Sequence, residues 1–305
     1  MKNTAVIGTA FVDIKGVPNG KYDPVGRNVG RSEYFHGGVA RNIAENMANI
    51  GMNVSFVSMA DSNATGDSII HRLELAGVNT DCISRCARGG NGVWLAVMNS
   101  DGDLAGSISQ VPDFGAFYEH LETNGDAAVS KCDSVVLEID LNREIAELAF
   151  ELAQEKNVPV YAVVGNMSVV LAHPELLAKT ECFICNEIEA GKLLNCELTG
   201  KSAEEILAAA VSCAEEFKIP SIMVTAGKLG AGYYDSLTGT SGWQPALGET
   251  VVDTSGAGDA FFSGAVSALI NGYPVEKAAY YGARLASATI GWWESSCPKM
   301  PDLFE

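Results

Sequence analysis

The stretch VVDTSGAGDAFFSGAVSAL, near the carboxyl end of the chain, places two aspartates, Asp253 and Asp259, around the small residues Gly256, Ala257 and Gly258. Backbone N–H groups at a helix start, unobstructed by side chains, can bind a phosphoryl group. A carboxylate in the first helical turn can then orient and deprotonate an attacking hydroxyl. The stretch therefore predicts an anion hole followed by a catalytic base at Asp259, with an ordinary capped helix start as the alternative.

A second pair of glycines, Gly37 and Gly38, precedes the helical pattern VARNIAENMANIG. Paired glycines allow a ligand to approach the backbone, and Asn42 in the first turn could hydrogen-bond substrate hydroxyls. The alternative is a glycine turn that leads into a helix with a solvated asparagine.

Two further loops follow strand-like runs. VTAGKLGAG places Thr225 and Gly227 at the end of one strand, with Gly230 next, and CNEIEAGKLL places Asn186 and Glu189 at the end of another. A carboxylate at such a position could hold a hydrated Mg²⁺. The P-loop pattern GxxxxGK[ST] is absent, and no GxGxxG follows the first strand, so neither P-loop nor dinucleotide-binding chemistry is indicated.

The elements that must position these residues alternate along the chain. Strand-like runs such as TAVIGTAFVDI, SVVLEID and CFICNE are separated by helical patterns such as IAELAFELAQEK, and GETVVD is also strand-like. This alternation predicts an α/β fold, a three-layer α/β/α arrangement around a mostly parallel, doubly wound sheet. Ligands in such sheets bind beyond the carboxyl ends of the strands.

Residues 11–36 and 88–112 interrupt the alternation within what is otherwise one domain, 1–305. The second segment reads as a hairpin with a strand at Gly92–Met98 and a turn through 99–102. Together the two segments predict a small β lid over the site, with an ordinary edge extension as the alternative. Apolar residues such as Val93 and Leu95 could face the substrate or the lid of a second copy, so a homodimer through the lid is expected.

The composition excludes several classes of partner. The chain carries 20 Lys and Arg against 38 Asp and Glu, a net charge of −18, which disfavours nucleic acid and anionic membranes. No signal-peptide core or apolar run of about 18 residues is present, so a cytoplasmic location is expected. Cys182 and Cys185 form a CxxC, but in a strand such positions point to opposite faces, which favours two packed thiols over a metal or redox pair.

In this order, the motifs resemble the ribokinase-like (PfkB) family of carbohydrate and nucleoside kinases, from Gly8 to about Pro298. DTSGAGDAFFSG is similar to the carboxy-terminal DTxGAGD signature of that family, and GGVARNIAENMANIG is similar to its amino-terminal glycine motif. NEIE is similar to its NxxE and TAGKLG to its TxGxxG. Four motifs in order are far more specific than any one of them.

The resemblance implies ATP-dependent phosphoryl transfer to a primary hydroxyl of a nucleoside or sugar. It implies that Asp259 is the catalytic base and that 256–258 form the anion hole. It also implies Mg²⁺ near Glu189 and a monovalent cation such as K⁺ at Asp253. The implied substrate-binding residues are Asp13, Gly37, Gly38, Asn42 and Glu138. The implied nucleotide-binding residues are Asn186, Thr225, Gly227, Gly230 and Thr254.

Within the family, DIKG and the ending WWESSCP are most similar to pseudouridine kinases, which implies pseudouridine as the substrate. A ribokinase- or fructokinase-type sugar kinase and another nucleoside kinase remain alternatives. Gly165 stands where many members have an aspartate, and Trp292-Trp293 fall near the expected nucleotide and cation loop. A non-catalytic sugar or nucleotide sensor is disfavoured because Asp259 is present, and a dehydrogenase because the dinucleotide fingerprint is absent.

Overall fold

The computed structural model describes residues 2–101, 103–248 and 250–305, and within these ranges the chain forms two β-sheets and nine α-helices. The strands are β1 (Asn3–Ile7), β2 (Phe11–Pro18), β3 (Gly30–Gly37), β4 (Asn53–Asp61), β5 (Ile83–Cys86), β6 (Gly92–Met98), β7 (Leu104–Gln110), β8 (Ser134–Glu138), β9 (Val160–Val163), β10 (Cys182–Asn186), β11 (Ser221–Thr225), β12 (Gly230–Asp235) and β13 (Thr240–Pro245). The helices are α1 (Val39–Asn49), α2 (Ala64–Ala76), α3 (Phe114–Val129), α4 (Arg143–Glu155), α5 (Ser168–Ala172), α6 (Glu187–Leu193), α7 (Ala203–Phe217), α8 (Ala257–Ile270) and α9 (Val275–Ile290).

The larger sheet has the strand order β13-β12-β11-β10-β9-β8-β1-β4-β5. The strands from β11 to β5 pair in parallel, and β12 and β13 extend the sheet in antiparallel fashion. The predicted α/β fold with a mostly parallel sheet is therefore confirmed. Strands such as β8 and β9 are buried along their whole length because helices cover both faces.

Two apolar cores lie on opposite faces of this sheet. In β1, Ala5 and Ile7 pack into the core with α3, α4 and α7, whereas Val6 between them packs into the core with α1, α8 and α9. The same alternation separates the CxxC, because Cys182 lies in one core and Cys185 in the other. The two thiols are free and buried, as the strand geometry predicted.

The smaller sheet has four strands in the order β3-β2-β6-β7. β2 and β3 come from the segment predicted at 11–36, and β6 and β7 from the segment predicted at 88–112. β2 pairs with β3 antiparallel and with β6 parallel, which joins the two segments into one sheet. The predicted turn at 99–102 includes residue 102, which lies outside the described residues.

One strand prediction is wrong. The described residues of GETVVD form no strand. The backbone N–H groups of Val252 and Asp253 both donate to the carbonyl oxygen of Ile290, at 2.7 and 3.3 Å. Because both N–H groups donate to a single carbonyl at the end of α9, this segment is a loop that leads directly into α8.

Candidate active site

The glycine run at the start of α8 forms a bare helix N-terminus. Gly256 is the N-cap with φ 76°, and a Cβ there would lie 1.9 Å from the carbonyl oxygen of Ser295. Only glycine fits this conformation and this contact. Among the described residues, none accepts a hydrogen bond from the N–H groups of Gly258 and Asp259. These N–H groups are therefore available to an anion.

Asp259 lies in the first turn of α8 and contacts α1. The Nδ2 of Asn42 donates to Asp259 Oδ2 at 2.7 Å. Burial raises the pKa of Asp259 to about 6, the Asn42 hydrogen bond and the Arg41 charge oppose this rise, and the Glu189 charge adds to it. A carboxyl group with such a pKa is mostly ionised near neutral pH and can accept a proton.

The glycine pair at the start of α1 lies against β2. This strand belongs to the four-stranded sheet of β2, β3, β6 and β7, which was predicted as the lid and is called the lid below. Gly38 is the N-cap with φ 95°, and a Cβ there would lie 2.8 Å from the carbonyl oxygen of Thr9. A Cβ on Gly37 would lie 2.5 Å from Asp13 Oδ2. Burial raises the pKa of Asp13, and the positive charge of Arg41 opposes the rise. The structure thus brings Asp13 directly beside the glycine pair.

Glu138 ends β8 beneath the same site. Its Oε2 accepts hydrogen bonds from the backbone N and the Oγ1 of Thr9, at 2.8 and 3.0 Å. Burial raises the pKa of Glu138 to about 7, the two Thr9 hydrogen bonds oppose this rise, and the charges of Asp140 and Asp259 add to it. Glu138 is therefore electrostatically coupled to the carboxyl group proposed as the base.

The NEIE motif forms a capping box at the start of α6. Asn186 Oδ1 accepts from the backbone N of Glu189 at 2.9 Å, and Glu189 Oε2 accepts from the backbone N of Asn186 at 2.8 Å. This is the structural role of the motif. The second carboxylate oxygen of Glu189 takes no part in the box, and the group is close enough to Asp259 for their charges to interact.

The remaining predicted nucleotide-site residues lie near the strand ends on the same side of the sheet. Thr225 pairs with Asn186 across β10 and β11. Gly227 begins a short 3₁₀ helix and Gly230 begins β12. Asp253 and Thr254 lie in the loop before α8, where Asp253 Oδ1 accepts from the Ser255 backbone N at 2.8 Å; this hydrogen bond lowers the pKa of Asp253.

Asp140 was not singled out from the sequence, and the structure places it beside the metal-site candidates. Its Oδ2 accepts from the backbone N of Asn166 at 3.1 Å, but its Oδ1 is buried without a hydrogen-bond partner. Burial raises the pKa of Asp140 to about 6, and the nearby Glu189 charge adds to this rise. Hard carboxylate oxygens of this kind suit Mg²⁺. In the described ranges no three acidic, His or Cys side chains converge on one point.

Arg41 was not predicted as a functional residue, although it lies within the motif VARNIAENMANIG. Its buried guanidinium donates to the carbonyl oxygens of His36 and Gly37 and pairs with Glu45 at 2.6 Å. Arg72 of α2 joins Glu45 to Glu294. This ion-pair network links Gly37, whose carbonyl oxygen accepts from Arg41, to the segment at 294–297, which contacts Gly256 at the start of α8.

One face of the lid carries aromatic residues around Asp13. Directly paired residues share a face of a sheet, and Asp13 pairs with Phe35 on one side and with Trp94 on the other. Phe11 lies on the same face, with its ring over Gly92, where a Cβ would be 2.3 Å from the ring. The carboxylate at the substrate motif is thus flanked by three aromatic side chains.

The opposite face of the lid is apolar and exposed. Leu95 pairs with Ile14 and with Ile108, so these three residues share the face away from Asp13. Tyr34 and Ile108 there are 70% and 67% exposed. Leu95 and Val93, two residues earlier in β6, therefore both point away from Asp13.

Comparison with known proteins identifies the family. The sequence matches the pfkB family carbohydrate kinase over residues 1–295. The chain belongs to this family. It is 33% identical over 306 residues to the guanosine-inosine kinase of Exiguobacterium acetylicum, covering all of both chains, and 24% identical over 286 residues to the pseudouridine kinase of Escherichia coli, covering 93% of this chain and 89% of that protein. The structure of Arabidopsis thaliana ribokinase complexed with ribose and ATP has a TM-score of 0.83 at 22% identity, covering 99% of this chain and 96% of that one.

The pfkB kinase is therefore an ATP-dependent phosphotransferase with a ribokinase-like fold that acts on a small nucleoside or sugar, as the resemblance implied. None of its helices in the described ranges is long and apolar enough to cross a membrane.

Proposed function

We propose that this kinase transfers the γ-phosphoryl group of ATP to the 5′-hydroxyl of a nucleoside, with guanosine and inosine as the first candidates. The observation that carries the proposal is the set of aromatic side chains around Asp13: Phe11, Phe35 and Trp94. Aromatic side chains stack on nucleobases, whereas ribose and fructose offer no π face. The full-length similarity to a guanosine-inosine kinase supports the purine nucleosides in particular.

Pseudouridine, the substrate predicted from the sequence, is the second candidate. The full-length similarity to the pseudouridine kinase of Escherichia coli supports it, at lower identity. A pyrimidine ring would stack on the same aromatic side chains, so the two candidates share one site and differ only in the base.

The proposed reaction uses the groups around the start of α8. Asp259 accepts the proton of the nucleoside 5′-hydroxyl, and the hydroxyl oxygen forms a bond to the γ-phosphorus. The bond from that phosphorus to the bridging oxygen of ATP breaks and ADP is released. The N–H groups at the start of α8 hold the transferred phosphoryl oxygens; within the predicted anion hole at 256–258 the Ala257 N–H donates to the Thr254 carbonyl at 3.3 Å, so Gly258 and the following Asp259 supply the available donors. Asp13, Asn42 and Glu138 bind the ribose hydroxyls and orient the nucleoside for this attack.

The nucleotide and metal assignments belong to the same proposal. Asn186, Thr225, Gly227, Gly230 and Thr254 surround ATP on the other side of the anion hole. The oxygens of Glu189 and Asp140 would bind a hydrated Mg²⁺, which offsets phosphate charge when it is bound. A monovalent cation at Asp253 and a cytoplasmic location remain predictions.

A substrate panel tests the proposed function. ATP consumption and phosphorylated product should be measured with guanosine, inosine, pseudouridine, uridine, adenosine, ribose and fructose. Trp94→Ala should reduce kcat/KM for the preferred nucleoside about 5- to 150-fold, because stacking contributes about 1–3 kcal/mol per base, and should leave ribose turnover unchanged. Leu237→Ala, at an exposed apolar residue outside the four-stranded sheet, is the control. A preference for ribose or fructose, or no effect of Trp94→Ala, would contradict the proposal.

The exposed lid face supports a homodimer. Ile14, Tyr34, Leu95 and Ile108 form an apolar surface on a four-stranded sheet, a kind of surface that a second copy of the chain can cover. We therefore propose that two lids pack together through this surface. Light scattering after size exclusion should show a dimer for the wild type and a monomer for Tyr34→Asp/Ile108→Asp. A monomeric wild type would contradict the dimer without affecting the nucleoside assignment.

A further inference from the structure

Lys15 lies on the inner face of the lid. It follows Asp13 by two residues in β2, and alternate residues of a strand share a face. Its register partners are Ala96 on β6, which is fully buried, and Glu33 on β3. The lysine is thus carried by a regular strand next to the substrate carboxylate.

The ammonium group of Lys15 lies over an aromatic ring of the lid and interacts electrostatically with two carboxylates. It sits 5.0 Å from the centre of the Phe35 ring. Burial raises the pKa of Asp13, and the charges of Arg41 and Lys15 oppose this rise; the Ser255 hydrogen bond lowers the pKa of Asp253, and the Lys15 charge lowers it further. Lys15 therefore interacts electrostatically with both carboxylates. Asp253 stands at the entrance to the anion hole. Within the described part of the chain, Lys15 forms no ion pair.

The site has a shortage of positive charge. Phosphoryl transfer spreads negative charge over the phosphoryl oxygens, and kinases stabilise it with metal ions and with Lys or Arg. This chain lacks a P-loop lysine and has a net charge of −18. The charge of the nearby Arg41 is paired with Glu45 inside the fold. Among the described residues the inward-facing Lys15 forms no ion pair, because Glu33, its register partner on β3, pairs with Arg31 instead.

We infer that Lys15 is a catalytic residue of the lid, whose ammonium group binds the transferred phosphoryl group when nucleoside and ATP are both present. Lys15 forms and breaks no covalent bond. The hydroxyl proton still passes to Asp259, and the bond to the ADP oxygen still breaks, while Lys15 offsets the charge on the phosphoryl oxygens. The inference rests on the proposed site at 256–259 and not on which nucleoside is bound.

The test compares Lys15→Met and Lys15→Arg with Lys21→Met, an exposed lysine in the loop after β2 that serves as matched control. We expect Lys15→Met to lower kcat about 10²- to 10³-fold, the usual loss for one stabilising donor. It should weaken formation of the ADP–aluminium fluoride complex with guanosine, or with pseudouridine if the panel selects it, by a similar factor. ADP affinity and nucleoside KM should stay within about threefold. Lys15→Arg should retain most activity and Lys21→Met all of it.

Three results would overturn the inference: an unchanged kcat in Lys15→Met, a loss confined to nucleoside KM, or equal losses in Lys15→Met and Lys21→Met. A loss confined to KM would show that Lys15 binds the base instead. Asp259→Asn, measured alongside, separates the two proposals. If Asp259→Asn stays active, the site itself is misplaced, whereas if it is inactive and only Lys15→Met stays active, the lysine assignment alone is wrong.

Discussion

Replacing Asn42 by alanine should move the acid limb of the pH–rate profile toward neutral pH. Asp259 must be ionised to accept a proton, so kcat/KM falls as the pH drops through its pKa, which is about 6. The amide of Asn42 donates to the ionised carboxylate at 2.7 Å and thereby lowers that pKa. Without the donor, the pKa of Asp259 must rise.

The size of the shift follows from the strength of this hydrogen bond. A hydrogen bond to a charged group contributes about 1.5–3 kcal/mol, and one pKa unit corresponds to about 1.36 kcal/mol. The upper bound is therefore a rise of about two units. Because Asp259 is partly exposed and water can replace part of the lost interaction, we expect about one unit, which places the limb near pH 7.

The assay is kcat/KM for the nucleoside between about pH 5 and 9, with saturating ATP and Mg²⁺. Asn49→Ala is the matched control, because its amide lies on the same helix but donates to the carbonyl oxygen of Cys297. Glu138→Gln tells whether the limb belongs to Glu138, whose pKa is about 7. An unmoved limb in Asn42→Ala, an equal shift in Asn49→Ala, or loss of the limb in Glu138→Gln would refute the reasoning.

Three further predictions concern the metal, the base and the anion hole. Chelation of Mg²⁺ should abolish turnover, and full activity in excess EDTA would contradict the metal assignment. Asp140→Asn should weaken the binding of Mn²⁺ to the ATP complex about 10- to 100-fold, as measured by electron paramagnetic resonance. Burial raises the pKa of Asp259 from 3.8 to about 6 in the folded state, so stability falls as the pH rises between these two values and stays lowered above about pH 6. Asp259→Asn should therefore raise Tm at pH 8 and have little effect at pH 4, and no gain at pH 8 would argue against a raised pKa. Gly256→Ala should lower the free energy of unfolding by about 1–3 kcal/mol or more, because φ there is 76° and the added Cβ would clash with Ser295. A Cβ added at Gly258 has no atom within 4 Å, so Gly258→Ala is the control. Equal denaturation midpoints for the two variants would contradict this packing.

Much of the fold was predictable because its signals are local. The alternation of buried runs and amphipathic helices predicts the parallel sheet, and the glycines before α1 and α8 mark both helix starts. The separation of Cys182 from Cys185 follows from strand geometry alone. The run GETVVD was misread as a strand because its valines suit a strand, while the hydrogen-bond partner of its described residues, Ile290, is distant in sequence.

The charged groups of the site were harder to predict because their effects depend on distant partners. Arg41 lies within the motif VARNIAENMANIG, yet its role depends on Glu45, Arg72 and the segment at 294–297, which only the fold brings together. The unpartnered oxygen of Asp140 and the inward orientation of Lys15 likewise depend on burial and strand register. No spacing in the sequence signals the first, whereas the second follows from the two-residue spacing between Asp13 and Lys15 once β2 is known to be a strand.

The turnover of Asp259→Asn tests the central claim most directly. Rapid-quench measurement of phosphoryl transfer from labelled ATP should show a drop of about 10²- to 10⁴-fold, the usual range for a lost general base, with ATP affinity nearly unchanged. Asp253→Asn, at the exposed end of the same glycine run, should lose far less. Near wild-type turnover in Asp259→Asn would contradict the assignment of the base.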